Sequence, residues 1–315
     1  MTGAVTTSAE QANIAIFAPS TQLSVTFEST AGREELHVHA AGQGFWVARM
    51  LTVLGETPQL CTPLGGETGV ALRALLGDLP TDGFVPCSTA NGSYVHDRRS
   101  GERHEVAKFP SLPLDRHVVD DLVSVTLACG LGAAVVVVCG SNEDANVEAV
   151  VFERICRDLG AAGATVVADL SGDELRAALE GGIDVLKVSH QEMINDHWAS
   201  DDREQSIIEG MQGLRSAGAR DLVVSRGEEG ALAALGDAWY RIKAPDMSVV
   251  EHRGAGDSMT AALAFGRCSG LDDEATLRFA AAAGALNVTR HGLASGHAGA
   301  VARLAELVVL DQFQV

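Results

Sequence analysis

Four short apolar runs alternate with helix-like segments between residues 133 and 225, and this alternation leaves few folds open to the chain. The runs are Val135–Cys139, Thr165–Asp169, Asp184–Val188 and Asp221–Ser225. Strands that are apolar along their whole length need cover on both faces, and helical crossovers between them make neighbouring strands parallel. The sequence therefore predicts an α/β fold, a doubly wound and mostly parallel sheet.

Further helices and strands are predicted between and after these four runs. Helices are expected near Asn146–Leu159, Asp173–Leu179 and Asp202–Ser216. Alternating residues predict a closing antiparallel section made of Ala231–Leu235, Ala238–Ile242 and Ser248–Val250. Three further helices are expected near residues 255–267, 273–290 and 298–307.

Residues 83–109 are short, alternating and rich in turns, with a hairpin signal at Arg99–Glu102. Together with residues 21–40 they predict a small β-sheet inserted into the α/β body as a lid, formed by about 21–41 and 88–109. Residues 13–310 are interpreted as one domain, and residues 1–12 as a flexible tail.

The stretch Gly254–Asp257 (Gly-Ala-Gly-Asp) opens the first of the three last helices, after Met247–Val250, which is expected to be a strand end. The first backbone N–H groups of a helix lack intrahelical partners and attract anions. A carboxylate beside such a site could accept the proton of an attacking hydroxyl, so the stretch suits phosphoryl transfer. The alternative is a plain strand-to-helix turn capped by Asp257.

Polar residues follow four further strands. They are Gly140 and Ser141, Asp169 to Ser171, Lys187 to Glu192, and Ser225 to Gly230. Ligands of open α/β sheets bind beyond the carboxyl ends of the strands, so the five stretches are expected to meet at one site.

Two of these stretches allow a structural interpretation as well. One interpretation is a site for nucleotide phosphates and Mg²⁺ formed by Lys187, Ser189 and Glu192. The other is a helix capping box formed by Ser189 and Glu192. Ser225-Arg226-Gly227 could line the path of the nucleotide phosphates, or it could form a hairpin turn before Ala231.

Composition excludes several other classes. The net charge of −19 and a pI near 4.8 argue against nucleic acid and anionic membrane surfaces as partners. Walker A and complete GxGxxG sequences are absent, which disfavours P-loop and Rossmann nucleotide sites. His37 and His39 could bind a metal, but an exposed strand explains them better. Six cysteines without a CxxC pair and the lack of a signal peptide predict a cytoplasmic protein with free thiols.

The order and spacing of Gly254–Ser258, Ser225–Ala231 and Lys187–Glu192 resemble the ribokinase-like PfkB carbohydrate kinases. Residues Ala41–Leu51 resemble the first signature of that family in outline. The surroundings are most similar to the 1-phosphofructokinase and tagatose-6-phosphate kinase branch, and the resemblance covers roughly residues 13–310. It implies ATP and Mg²⁺, a small carbohydrate acceptor, and a homodimer formed through the lid.

The resemblance also implies residue roles. Asp257 would be the catalytic base, and Gly254, Ala255 and Gly256 the anion hole. Glu192 would act on Mg²⁺ through water. Nucleotide contacts are expected from Lys187, Ser225, Arg226, Gly227 and Gly230. Acceptor contacts are expected from Gln22, Gly42, Gln43, Gly44 and Trp46.

The acceptor end departs from the family pattern. Gln22 stands where an Asp is usual, Gln43 replaces a Lys and Trp46 an Asn, and Asn91–Val95 lacks the lid Arg and Lys that hold a substrate phosphate. Each lost charge-assisted hydrogen bond is worth roughly 1.5–3 kcal/mol, so a sugar phosphate is disfavoured as acceptor. Trp46 could stack on a ring of the acceptor or simply pack under the lid.

The sequence thus predicts an ATP-dependent kinase that phosphorylates an alcohol group of a sugar or sugar-like molecule. A non-catalytic ligand-binding or regulatory protein on a kinase scaffold is the alternative, and a nucleoside acceptor stays open within the kinase class. The sequence does not identify the acceptor.

Overall fold

The Val-rich run at residues 135–139 shows how the main sheet is covered. Val135 and Val137 point into one apolar core, whereas Val136 and Val138 point into a second core on the opposite face. Side chains alternate between the two faces of a strand, so a continuous apolar run needs two cores. The predicted doubly wound α/β fold is confirmed in this computed structural model, which describes residues 13–141 and 146–315.

Within these residues the strands are β1 (Ile14–Phe17), β2 (Gln22–Thr30), β3 (Arg33–Ala41), β4 (Gln59–Gly65), β5 (Phe84–Cys87), β6 (Ser93–Asp97), β7 (His104–Phe109), β8 (Val135–Cys139), β9 (Thr165–Asp169), β10 (Ile183–Ser189), β11 (Ala219–Ser225), β12 (Ala231–Leu235), β13 (Ala238–Lys243) and β14 (Val309–Phe313). The helices are α1 (Gln43–Val53), α2 (Gly66–Leu75), α3 (Arg116–Gly130), α4 (Val150–Ala161), α5 (Gly172–Gly181), α6 (His190–Asn195), α7 (Glu204–Ala217), α8 (Ala255–Cys268), α9 (Asp273–Val288) and α10 (Ala298–Ala305).

The main sheet has ten strands in the part of the chain that the structure describes, in the order β14-β13-β12-β11-β10-β9-β8-β1-β4-β5. The strands from β11 to β5 are parallel, and β12, β13 and β14 close the other edge as antiparallel neighbours. Helices α1, α8, α9 and α10 supply one core, and α3, α4, α5 and α7 supply the other. The carboxyl ends of β8 to β11 therefore meet at one edge, where the first turn of α8 also arrives.

A second, small sheet has the order β3-β2-β6-β7. The turn at Arg99–Glu102 joins β6 to β7 as an antiparallel hairpin, as predicted. Ser24, Thr26, His37 and Tyr94 lie on one face of this sheet, which is turned toward a cavity described below. The opposite face exposes apolar side chains, among them Leu36 at 59% and Phe109 at 59%.

Three predictions about secondary structure are wrong. Ser248–Val250 is not a strand, because this segment leaves the sheet after β13 and its backbone bonds to Val288 instead. The third antiparallel strand is β14, in a region for which the sequence predicts nothing beyond the last helix. Phe84–Cys87, grouped with the turn-rich lid pattern, is β5 and pairs with β4 because Phe84 and Val85 are buried in the main cores.

The predicted flexible tail, residues 1–12, lies outside the described residues. None of the helices that the structure describes is long and apolar enough to cross a membrane.

The cores give a stability prediction. Phe152 on α4 is fully buried and meets Phe17 edge-to-face, with ring centroids 5.4 Å apart. Phe152→Ala should lower the free energy of unfolding by about 3–5 kcal/mol, because it leaves a cavity between helix and sheet. Urea denaturation measures this. Val150→Ala, on the same helix at a 56% exposed position, is the control and should cost under about 0.5 kcal/mol. Equal losses in the two variants would contradict the packing argument.

Candidate active site

The first turn of α8 forms one wall of a large cavity at the carboxyl edge of the sheet. Gly254 precedes the helix with φ of 75°, a left-handed conformation that glycine adopts without strain. Gly254, Ala255, Gly256 and Asp257 all line this cavity, which has a volume of about 790 Å³. We call it the helix-end cavity. The backbone N–H groups of this turn are free of intrahelical partners, so the positive end of the helix faces the cavity.

A buried ion pair lies directly beneath this turn. Lys187 Nζ is 3.2 Å from Asp169 Oδ2, and Thr260 Oγ1 on α8 donates to the same oxygen at 2.6 Å. Lys187 and Asp169 are register partners on β10 and β9. A Cβ at Gly256 would overlap Lys187 Nζ, so a side chain there would shift the ammonium from its place beside the helix end.

The same charges control the acidity of Asp257. Burial, followed by the nearby Asp169, raises the pKa of Asp257 to about 7, with Lys187 acting in the opposite direction. Burial alone would lower the pKa of Lys187, but the charges of Asp169, Glu192 and Asp257 outweigh it and raise that pKa. Asp257 is thus a carboxylate that exchanges protons near neutral pH, as a general base should.

Most of the predicted nucleotide residues do line the helix-end cavity. Lys187, Ser225, Gly227 and Gly230 are among its walls, since β10 and β11 lie side by side with Ser189 opposite Ser225. The hairpin alternative for residues 225–230 holds at the same time, because Gly227–Glu229 forms a 3-10 turn between β11 and β12.

Arg226 is placed differently. Its guanidinium turns away from the cavity, donates to Asp202 O at 3.0 Å and pairs with Glu204 and Glu229. It is not among the residues that line the cavity, so its predicted nucleotide contact stays a prediction.

Glu192 has the capping role that the sequence offered as an alternative. Its Oε2 accepts from Ser189 N at 2.7 Å, and Ser189 Oγ accepts from Glu192 N at 3.2 Å. Glu192 also lines the helix-end cavity. The described residues hold no group of three or more His, Cys, Asp or Glu side chains arranged for a metal. That fits Mg²⁺ only in the form it takes with nucleotides, where it keeps several waters and needs one or two carboxylates.

A smaller cavity of about 120 Å³ lies between the small sheet, α1 and the loops around residues 251–253 and 291–293. We call it the arginine cavity. Four arginines line it: Arg49, Arg98, Arg103 and Arg253. The expectation that the acceptor end has lost its cations did not take these arginines into account. It considered Asn91–Val95, whereas these arginines come from α1, the β6–β7 hairpin and the turn before α8.

The small sheet contributes hydrogen bonds to the arginine cavity. Tyr94 on β6 bonds to Ser24 and Arg103, and burial raises its pKa, with a smaller contribution from Asp257. Arg103 Nη2 lies 2.9 Å from His96 Nδ1. Burial and the charges of Arg103 and Arg98 lower the pKa of His96 to about 4, so His96 is neutral at physiological pH. The two cavities lie next to each other, because Arg253 lines both.

The predicted acceptor residues divide into two groups. Trp46 lines the arginine cavity, although it is largely buried against Phe45, with ring centroids 4.9 Å apart. Gln22, Gly42, Gln43 and Gly44 are not among the lining residues of either cavity. Gln43 Oε1 instead accepts from Gly140 N at 2.8 Å and ties α1 to the end of β8.

The sequence placed Asp169 among the polar strand ends without giving it a role, and it did not identify Thr260 or Asn287. Asp169 and Thr260 complete the ion pair, and Asn287 on α9 holds the turn before α8 through a 2.6 Å bond from its Nδ2 to Arg253 O. Two signals were available: Asp169 ends a strand, and Thr260 lies one helical turn after Asp257. The arginines carried no comparable sequence signal, because tertiary packing brings them together.

Comparison with known proteins agrees with this geometry. The profile of the "pfkB family carbohydrate kinase" family matches residues 10–298. ATP-dependent 6-phosphofructokinase isozyme 2 of Mycobacterium tuberculosis is 31% identical over 273 residues, covering 84% of this chain and 79% of the relative. The chain belongs to the pfkB family of carbohydrate kinases. The predicted family is thereby confirmed, and the chain is a carbohydrate kinase.

Further similarities extend over most of the kinase. The 1-phosphofructokinase of Vibrio cholerae is 27% identical and covers 87% of the chain and 86% of its own length. Phosphofructokinase-2 of Escherichia coli, crystallised in complex with fructose-6-phosphate, superposes with a TM-score of 0.81 at 22% identity, covering 94% and 99% of the two chains. Arabidopsis thaliana ribokinase complexed with ribose and ATP gives a TM-score of 0.73 at 20% identity, with coverage of 94% and 99%. The two structural likenesses concern the fold.

The raised pKa of Asp257 makes stability depend on pH. The folded pKa of about 7 lies above the ordinary 3.8, so the folded state loses stability relative to the unfolded state as pH rises from 4 through 7. Asp257→Asn removes this loss. The variant should gain up to about 4 kcal/mol over wild type between pH 4 and 8.

Urea unfolding of both proteins at several pH values measures this difference. Asp311→Asn, a carboxylate on β14 outside the site, is the control and should not show the trend. A stability difference between wild type and Asp257→Asn that is the same at pH 5 and pH 8 would contradict the raised pKa.

Proposed function

We propose that this carbohydrate kinase transfers the γ-phosphoryl group of ATP to an alcohol group of a sugar phosphate, with Asp257 as the base. The observation that carries the proposal is a half-buried carboxylate with a pKa near 7 in the first turn of α8, beside free backbone N–H groups. A base and an anion site at the same helix end are the two elements that phosphoryl transfer requires.

The helix-end cavity suits ATP. One part is apolar, with Ala231, Ile242, Met247 and Val288 among its walls, and can cover a nucleotide base. Another part is the α8 turn with Lys187, where phosphates would lie. Two relatives of this chain carry names that state ATP dependence. We propose that Ser225, Gly227 and Gly230 contact the nucleotide along the wall between these two parts.

In the transfer step, Asp257 accepts the proton of the acceptor hydroxyl. The hydroxyl oxygen forms a bond to the γ-phosphorus, and the bond from that phosphorus to the β,γ-bridging oxygen breaks, so ADP leaves with the electron pair. Backbone N–H groups of Gly254, Ala255 and Gly256 stabilise negative charge during transfer. Mg²⁺, when bound, neutralises phosphate charge, and we propose that Glu192 holds it through water.

The arginine cavity supports a phosphorylated acceptor rather than a neutral one. Four guanidinium groups line about 120 Å³, against two carboxylates, those of Glu28 and Glu251, which pair with Arg98 and Arg253. The arginines are thus in excess, and guanidinium is well suited to binding phosphate. The curated relatives are named phosphofructokinases. The alternative of a non-catalytic scaffold protein gains no support, because Asp257 and the α8 turn are both intact.

A homodimer through the small sheet remains our expectation. The face of this sheet that is turned away from the arginine cavity exposes Phe27, Leu36, Val38 and Phe109. These residues share one face by register, so a second copy could cover them together. Cytoplasmic location likewise stays a prediction.

Removal of the base tests the proposal. Asp257→Asn keeps the shape of the residue but cannot accept the proton, so kcat should fall by about 10²- to 10⁴-fold while ATP still binds. ADP release, measured with a panel of sugar phosphates and sugars, gives kcat, and calorimetry gives the affinity for ATP. Asp311→Asn on the exposed β14 makes the same charge change and should leave turnover unaltered. Turnover of Asp257→Asn within a factor of three of wild type would overturn the role of Asp257.

Selectivity for the phosphorylated acceptor tests the arginine cavity. Arg103→Gln should raise KM for a sugar phosphate by roughly 10- to 100-fold, the loss expected for one charge-assisted hydrogen bond, and change KM for ATP little. Arg99→Gln is a matched control in the same hairpin, because Arg99 pairs with Asp97 and is not among the cavity residues. Equal effects of the two substitutions would argue against a phosphate in this cavity.

A further inference from the structure

No role for Arg253 is predicted from the sequence. This residue immediately precedes Gly254, and it lines the helix-end cavity as well as the arginine cavity. Within residues 13–141 and 146–315 it is the one residue that lines both. It therefore lies at the border between the two cavities.

The guanidinium of Arg253 is hydrogen-bonded to Glu251. Its Nη2 donates to Glu251 Oε2 at 2.8 Å and its Nε to Oε1 at 3.1 Å. The side chain nevertheless stays 44% exposed, whereas that of Glu251 is 10% exposed. Glu251 also meets Arg98 of the small sheet at 3.4 Å. Glu251 therefore orients the guanidinium and connects it to the small sheet.

The backbone of this turn is fixed independently of the side chain. Asn287 Nδ2 donates to Arg253 O, and Asn287 Oδ1 accepts from Ala294 N at 2.7 Å. The backbone N–H groups of Val250 and Glu251 donate to Val288 O. Substitution of the Arg253 side chain thus leaves the contacts that position Gly254 and α8 in place.

The other cations near the α8 turn are less suited to a moving anion. Lys187 is buried and engaged by Asp169, and Arg226 is directed away toward Glu204 and Glu229. Lys243, at the end of β13, also lines the helix-end cavity, but its ammonium is a point charge without a planar fork of donors. Among these four cations, Arg253 alone combines a place in the cavity lining with a planar, permanently charged donor group.

We propose that Arg253 is a further catalytic residue, whose guanidinium binds the non-bridging oxygens of the phosphoryl group as it passes from ATP to the acceptor. This rests on the function proposed above. Arg253 stays protonated throughout and takes no proton; the hydroxyl proton goes to Asp257, the new bond joins acceptor oxygen to phosphorus, and ADP retains the electrons of the broken bond. Arg253 stabilises charge that is greatest during transfer, so it acts on kcat more than on ATP binding.

Kinetics of Arg253 variants test the proposal. In Arg253→Gln, kcat should fall by about 10²- to 10³-fold, as for removal of one preorganised donor, whereas KM for ATP should change less than about threefold. Arg253→Lys, which keeps the charge but not the fork of donors, should retain more activity than Arg253→Gln. Millimolar guanidinium chloride should partly restore kcat in Arg253→Ala and have no such effect on wild type.

The controls separate this proposal from a structural role and from the proposed function. Arg220→Gln removes a surface arginine that pairs with Asp184 at 3.1 Å, and it should leave kcat unchanged. Melting temperatures of the Arg253 variants should equal that of wild type.

A kcat of Arg253→Gln within threefold of wild type, while Asp257→Asn loses activity, would overturn the role of Arg253 alone. Loss of ATP affinity in proportion to the loss of kcat would also overturn it, because Arg253 would then be a ground-state contact. If wild type turns over no acceptor in the panel, the proposed function fails, and the proposal for Arg253 fails with it.

Discussion

The site depends on one buried ion pair, Lys187 with Asp169. Removing two charges from water is costly, and the cost is offset only when the partners face each other with further hydrogen bonds. Adjacent parallel strands place the two residues in register, and Thr260 supplies the further bond from α8. The helix is thereby fixed at its first turns. Its N-terminal N–H groups and Asp257 consequently occupy positions that are set by the sheet rather than by a mobile loop.

Burial first, and then the carboxylate of this pair, explain why Asp257 is a weak acid. A carboxylate near a lysine would ordinarily be more acidic, but here the positive charge of Lys187 is already shared with Asp169. Asp257 experiences burial and a second carboxylate, and its pKa rises to about 7. The pKa of Asp257 is thus raised partly because Asp169, rather than Asp257, is the carboxylate that pairs with Lys187. Gly256 allows this arrangement, since a larger residue would displace the ammonium.

Charge is distributed unevenly over the protein. The whole chain carries −19, which repels anions at long range, yet four arginines surround a cavity of about 120 Å³. Such a local excess of positive charge makes this cavity more favourable for an anion than the rest of the surface. Glu251, with Arg98 on one side and Arg253 on the other, joins this cavity to the α8 turn. The small sheet is therefore coupled by charge as well as by packing to the proposed path of the phosphoryl group.

The sequence was informative where local pattern decides structure and uninformative where packing does. The Val-rich strands, the hairpin at Arg99–Glu102 and the glycine turn before α8 follow from residue type and spacing, and all are present. The β14 strand was missed because Val309–Phe313 has no partner nearby in sequence; its partner, β13, lies about 70 residues earlier. Ser248–Val250 is the opposite case, in which a strand was predicted and none forms. Its β-branched residues lie near Pro245 in an exposed segment. Arg49 lies on α1, Arg98 and Arg103 in the β6–β7 hairpin and Arg253 before α8, so only the folded chain shows that they share a cavity.

The position of β14 has a consequence for synthesis in the cell. Trp239 and Tyr240 on β13 are nearly buried, and β14 forms the outer neighbour of that strand. A growing chain that has reached only residue 308 holds every residue of the α8 turn and of both cavities, but β13 still has an open edge. Unpaired strand edges invite pairing with other chains. Until β14 arrives, this edge of the kinase is therefore open to pairing with other chains.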